Sequence, residues 1–105
     1  MKLIVAIVQD NDSNALMNRL IEEDIRVTKL ASTGGFLKKG NTTFLAGVEE
    51  KMVDTVLSCI KETCRSREQV KPQAPALPGT STFPIPIKIG GATVFVLDVF
   101  QFEQF

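Results

Sequence analysis

The stretch LIVAIVQDNDSNALMNRLIEE, residues 3–23, decides the fold class. Its first six residues, Leu3 to Val8, are apolar on both faces and mostly β-branched, the pattern of a strand buried in the middle of a sheet. Asp10 to Ser13 then supply turn and helix N-cap chemistry. Beyond them Leu16, Met17, Leu20 and Ile21 recur at helical spacing, with Asn18, Arg19, Glu22 and Glu23 on the other side. A central strand followed at once by an amphipathic helix is an α+β or α/β opening, and the rest of the chain decides between the two.

Val27 to Thr33 alternate loosely and stop at Gly34-Gly35, and Thr42 to Val48 form a second short strand-like run. The link from Phe36 to Asn41 is hairpin-sized, so these two runs are predicted to pair antiparallel. Met52, Val53, Val56, Leu57 and Ile60 make a second helical stripe. Glu49 and Glu50 stand at its start and Lys61 and Arg65 near its end, the arrangement a helix dipole favours. From Ser66 to Pro84 the composition changes: Pro72, Pro75, Pro78 and Gly79 punctuate a segment without a sustained period, read as one long surface loop. Ile85 to Ile89, Gly90-Gly91 and Ala92 to Leu97 then read as two strands joined by a tight turn, with Pro86 confining the first to an edge. The predicted order is β-α-β-β-α-β with an extra strand in a C-terminal hairpin, a single ferredoxin-like α+β domain over residues 1–105. Such a fold specifies no function by itself.

Composition removes several classes of function. Twelve Lys and Arg balance twelve Asp and Glu, leaving no electrostatic surplus for polynucleotides or anionic membranes. The apolar content, 44%, is too high for a disordered chain, and the run Leu3–Val8 is far shorter than the roughly 20 residues that span a bilayer. That run also lacks the length and cleavage site of a secretory signal, so a cytoplasmic protein without membrane insertion is expected. With no histidine, neither a Ser-His-Asp triad, a Cys-His dyad nor a Cys/His zinc site can be built. Cys59 and Cys64 lie about 140° apart on one helix and are not expected to pair.

Three features exceed what a sheet backed by helices needs. Thr33 to Thr43 combines Gly34, Gly35 and Gly40 with Phe36, Lys38, Lys39 and Asn41, the composition of a ligand loop and equally of a solvated hairpin. The end of the chain places Phe100, Phe102 and Phe105 beyond the last strand, either against another subunit or clamped over the chain's own helices. Asp10 and Asp12 could hold a metal or act as an acid/base pair, although turn and helix-cap acids are the simpler reading.

Several strings carry a specific resemblance: Met1 to Asp10, Thr28 to Leu37, Gly40 to Leu45, Arg67-Glu68-Gln69, and Gly90 to Leu97. Together they closely resemble the cyclic di-AMP receptor-like family of PII-like signalling proteins over nearly the whole chain. The resemblance implies a cytoplasmic, non-catalytic homotrimer that binds one cyclic di-AMP in each of three clefts between subunits, without cofactor or metal, and signals to a downstream protein. It further implies that Arg26 and Thr28 on the second strand, Gly35, Phe36 and Leu37 in the loop, Asn41 and Gly47 on the third strand, and Phe95 and Gln104 near the terminus line the cleft. The ligand's chemistry suits this set. Adenine needs a flat apolar face, as Phe36 and Leu37 offer, and hydrogen-bonding partners for its edge, as Thr28 and Asn41 offer. The phosphodiesters need donors, which Arg26 and backbone N–H groups near Gly34-Gly35 supply. The chain departs from the family pattern in a shorter Pro-rich loop, in Lys38-Lys39, and in Asp98 where a proline is expected.

Other readings make distinct demands. A PII-type sensor of ATP or ADP needs a longer hairpin loop and more cations than Lys38 and Lys39 provide. An RNA-recognition domain of the same strand order needs two or three aromatics in an RNP-like string, which is missing. An enzyme would have to rely on Asp10, Asp12 or Cys64, none with a partner evident in the sequence.

Overall fold

The computed structural model describes residues 1–31, 40–71 and 85–105. Strand β1 (Lys2–Gln9) runs straight into helix α1 (Asp10–Glu22); β2 (Thr28–Ala31) and β3 (Asn41–Val48) follow. A single 3-10 turn at Glu50–Met52 leads into α2 (Val53–Cys64), and β4 (Arg67–Lys71), β5 (Ile85–Ile89) and β6 (Ala92–Asp98) complete the chain. Four strands form one antiparallel sheet in the order β2-β3-β1-β6. With two helices beside it, this small α+β fold is consistent with the ferredoxin-like arrangement.

Side-chain alternation assigns the two faces of the sheet. Ile4, Ala6 and Val8 of β1 and Phe44, Ala46 and Val48 of β3 are buried, in one core with Leu16 and Leu20 of α1 and Val56, Cys59, Ile60 and Cys64 of α2. Burying aliphatic side chains of this size contributes roughly 1.5–3 kcal/mol each, so this layer is the main source of stability. The predicted helical stripes are in place, except that Ile21 is exposed at the rim of α1. Both cysteines are buried and unpaired. Burial pushes each thiol above its usual pKa, so they act as small apolar core residues.

The C-terminal half departs from expectation in two places. The segment read as one loop from Ser66 to Pro84 begins with a strand, β4, and its residues 72–84 lie outside the described residues. The two strands flanking Gly90-Gly91 both exist, yet they do not pair as a hairpin. Instead β5 pairs antiparallel with β4, Arg67 opposite Ile89, in a separate two-stranded ribbon, and β6 joins β1 at the sheet edge. The reason is in the turn itself. Gly90 and Gly91 both adopt positive φ (79° and 98°), but their N–H groups donate outward, Gly90 to Gln9 Oε1 at 2.8 Å and Gly91 to the Cys64 carbonyl at 2.5 Å. The turn is spent on redirecting the chain, and β5 finds its partner in β4.

Candidate functional site

Helices cover one face of the four-stranded sheet; no described residue forms a layer on the other. The register places side chains there in transverse rows. One row runs Thr28, Leu45, Val5, Phe95 across all four strands, and its neighbour runs Leu30, Thr43, Ile7, Thr93. A third includes Gly47, Leu3 and Leu97. Leu30, Phe95 and Leu97 are exposed, Phe95 at 50%. An apolar patch of this kind, built from alternate positions of otherwise well-buried strands, marks a surface meant for contact.

Four of the expected ligand residues share this face. Thr28 opens β2, Asn41 opens β3 opposite Gln9, Gly47 lies near the end of β3 opposite Leu3, and Phe95 is in the middle of β6 opposite Val5. Arg26 is exposed just before β2 rather than on it, because the strand begins at Thr28. Gln104 is exposed in the tail after β6. Gly35, Phe36 and Leu37, with the rest of the glycine-rich segment, lie outside the described residues. Gly47 does not have positive φ, and a Cβ there would meet nothing nearer than Met1 Sδ at 4.0 Å. The chain's own backbone therefore gives no reason for glycine at 47.

Thr43 adds a residue that sequence reasoning did not single out. It is 5% exposed, and its Oγ1 is buried without a hydrogen-bond partner among the described residues. A buried hydroxyl left unpaired costs on the order of 1–3 kcal/mol, which makes it a point of polar demand on the same face. Only the strand pairing reveals it, since a threonine in a strand is ordinary in sequence.

A cleft of about 690 Å³ opens at one end of the sheet, between Gln9, Asp10 and Asn11, Gly40 and Asn41, and Gly90 to Thr93. Among the described residues it shares only Asn41 with the expected set; Thr28, Asn41, Gly47 and Phe95 lie instead on the open face of the sheet. Asp10, which lines this cleft, and Asp12, which does not, both bind protein groups. Asp10 Oδ1 accepts the Thr42 hydroxyl at 2.5 Å, and the Asp10 N–H donates to the Gly40 carbonyl at 2.9 Å. Asp12, 5% exposed, receives Arg67 Nη2 at 2.7 Å. The Arg67 guanidinium is held above its usual pKa, first by this hydrogen bond. Both acids do sit in the first turn of α1, where the helix dipole favours them, but neither caps the helix: the cap position is Gln9, whose side chain makes no capping bond. Among the described residues no group of three His, Cys, Asp or Glu side chains could hold a metal ion.

Phe100 and Phe105 are fully exposed and Phe102 largely so; they do not clamp over the chain's own helices. Among the described residues no helix is long and apolar enough to cross a membrane.

Comparison with known proteins places this geometry. The chain is similar to a functionally unknown protein from Pediococcus pentosaceus ATCC 25745 whose crystal structure is known, at 48% sequence identity over 99% of this chain and 96% of that one, with a TM-score of 0.79. The cyclic-di-AMP receptor family model matches residues 1–105. A match over the entire chain, on the strands and connections that build the helix-free face, means that this protein belongs to the cyclic-di-AMP receptor family.

Proposed function

We propose that this chain is a non-catalytic, cytoplasmic signalling protein of PII-like, ferredoxin-like fold. In this reading it binds cyclic di-AMP in clefts between the subunits of a homotrimer and passes occupancy to a partner through a change in loop order. The observation that carries the reading is the helix-free face. It holds Thr28, Asn41, Gly47 and Phe95 on one surface, beside exposed apolar side chains that a lone chain leaves in water. A second subunit laid against this face buries Leu30, Leu97 and the terminal phenylalanines and converts an open surface into clefts. Adenine then stacks on apolar and aromatic side chains, while Thr28 and Asn41 read its edge. Gln104 reaches the site from the exposed tail after β6.

Size measurement by light scattering, followed by calorimetric titration with cyclic di-AMP, cyclic di-GMP, cyclic AMP and ATP, tests this reading. A trimer that binds cyclic di-AMP alone is expected. Guanine replaces the exocyclic amine with a carbonyl and leaves the edge-reading groups unpaired, so cyclic di-GMP is rejected. A ligand-competent monomer, or a preference for ATP, overturns it.

A further inference from the structure

We propose that the β1–α1 junction, Gln9 to Asp12, is a joint that couples ligand at the start of β3 to the β4–β5 ribbon, with Asp12 and Arg67 as its positioning pair. The inference rests on the ligand reading above, through Asn41.

The ribbon is a separate sheet, with no hydrogen-bonded strand pairing to the four-stranded one. Among the described residues, the side chains of the body that hold its root are Gln9 and Asp12. Gln9 Oε1 accepts the Gly90 N–H at 2.8 Å, just past the end of β5. Asp12 binds Arg67, the first residue of β4, through Nη2 at 2.7 Å, and Arg67 Nη1 also donates to the Arg65 carbonyl at 3.0 Å. The same four-residue junction holds the start of β3 from its other side. The Asp10 N–H binds the Gly40 carbonyl, and Asp10 Oδ1 accepts from Thr42, which flanks Asn41.

Two features make this a mechanical link and not a surface ion pair. Asp12 is buried, so its carboxylate cannot exchange Arg67 for water without a large desolvation penalty, and the two must move together. The root is also packed without slack. A Cβ at Gly90 would lie 2.5 Å from both the Arg65 carbonyl oxygen and Arg67 Nη1. Motion at Gly40–Thr42 therefore passes through Asp10 and the first residues of α1 to Asp12 and the ribbon. Coupling of this kind is reciprocal: whatever grips the ribbon alters ligand affinity by the same factor. The ribbon thereby becomes the face on which a partner reads occupancy.

Hydrogen exchange of 67–71 and 85–89, with and without saturating cyclic di-AMP, tests the joint alongside calorimetry on the same samples. The native chain should show ribbon exchange slowed by about fivefold or more on binding, the lower end of typical coupling. Arg67→Met should still bind but lose the ribbon response, and Arg67→Lys, which keeps the charge without the fork, should restore part of it. Thr42→Val breaks only the far side of the junction and should blunt the ribbon response while leaving Arg67 on Asp12, an effect that a merely structural ion pair would not produce. If Arg67→Met does not fold, Thr42→Val carries the test. Binding with unchanged ribbon exchange in the native chain, or an equal response in native and Thr42→Val, overturns the joint alone. No binding heat in the native chain overturns the ligand reading and the joint together.

Discussion

The two faces of the four-stranded sheet are made from alternate residues of the same strands, and they do opposite things. Even-numbered positions of β1 and β3 go into the helix-covered core, where Ile4, Ala6, Val8, Phe44 and Ala46 are buried. Odd-numbered positions of the same strands, with Thr28, Leu30, Phe95 and Leu97 beside them, form a face that no described helix covers. A shift of one residue in register would exchange the two sets, so strand pairing locks the core to the face proposed above to bind ligand. The comparison teaches that substitutions one residue apart should separate cleanly: one set costs folding, the other costs binding.

The largest effect is expected on the covered side. Leu16→Ala should destabilise the fold by about 2–5 kcal/mol in chemical denaturation, with cyclic di-AMP affinity of the folded fraction unchanged. Equal loss of affinity would show that the two faces are not separable. On the binding side, Phe36→Ala should weaken cyclic di-AMP by about 1–3 kcal/mol in calorimetry, the usual loss for a base-stacking aromatic. Native affinity in that variant would remove Phe36 from the adenine. Thr28→Val should cost affinity on the order of 1–3 kcal/mol through an unsatisfied adenine edge, while the melting temperature stays close to native.

Gly47→Ala sharpens the comparison further. The backbone at 47 does not have positive φ and the nearest atom to a new Cβ is 4.0 Å away, so folding should be unchanged or improved by about 0.4–1 kcal/mol. Affinity should nevertheless fall, because the space is needed by ligand or a neighbouring subunit. Unaltered affinity would mean that the face at Gly47 is empty in the assembly.

The smallest effect concerns Lys2 and Asp98, paired at the sheet edge. The hydrogen bond from Lys2 holds the Asp98 carboxyl below its usual pKa, and the same bond raises the Lys2 ammonium. The Asp98 contribution to stability is present above the ordinary carboxylate range and is lost as pH falls through its lowered pKa. The Lys2 contribution is present below the ordinary ammonium range and is lost as pH rises through its raised pKa. Asp98→Asn should flatten both limbs of a melting-temperature profile slightly, since Asp98 is exposed and the pair is screened. A large change would assign this edge a role beyond a surface ion pair.

Legibility in the sequence followed locality. The alternation in β3, the apolar run of β1 and the stripes at Leu16, Leu20, Val56 and Ile60 each repeat within one or two turns or pleats, so a single segment reveals them. The missed strand, β4, reads Arg-Glu-Gln-Val-Lys: its first three residues are polar and none of them is buried, and its partner arrives only after the Pro-rich segment. Cys59 and Cys64 are both buried on α2, although they lie about 140° apart on the helix, so spacing alone does not mark both as core. For the site, the resemblance supplied the residues, and the register then showed that four of them share a face.

By itself the sequence determined an α+β chain with a central strand, two amphipathic helices and no histidine chemistry, because each of these is a matter of composition or short-range period. Only the tertiary structure decided that β5 leaves β6 for β4, that Asp12 meets Arg67 from 55 residues away, and that the hydroxyl of Thr43 is buried without a partner among the described residues. The physical reason is that these depend on which backbone and side-chain hydrogen bonds remain unspent once the sheet has closed. A glycine turn does not record where its N–H groups will go, and an aspartate at a helix start has the same local pattern whether it faces water or an arginine brought to it by the fold.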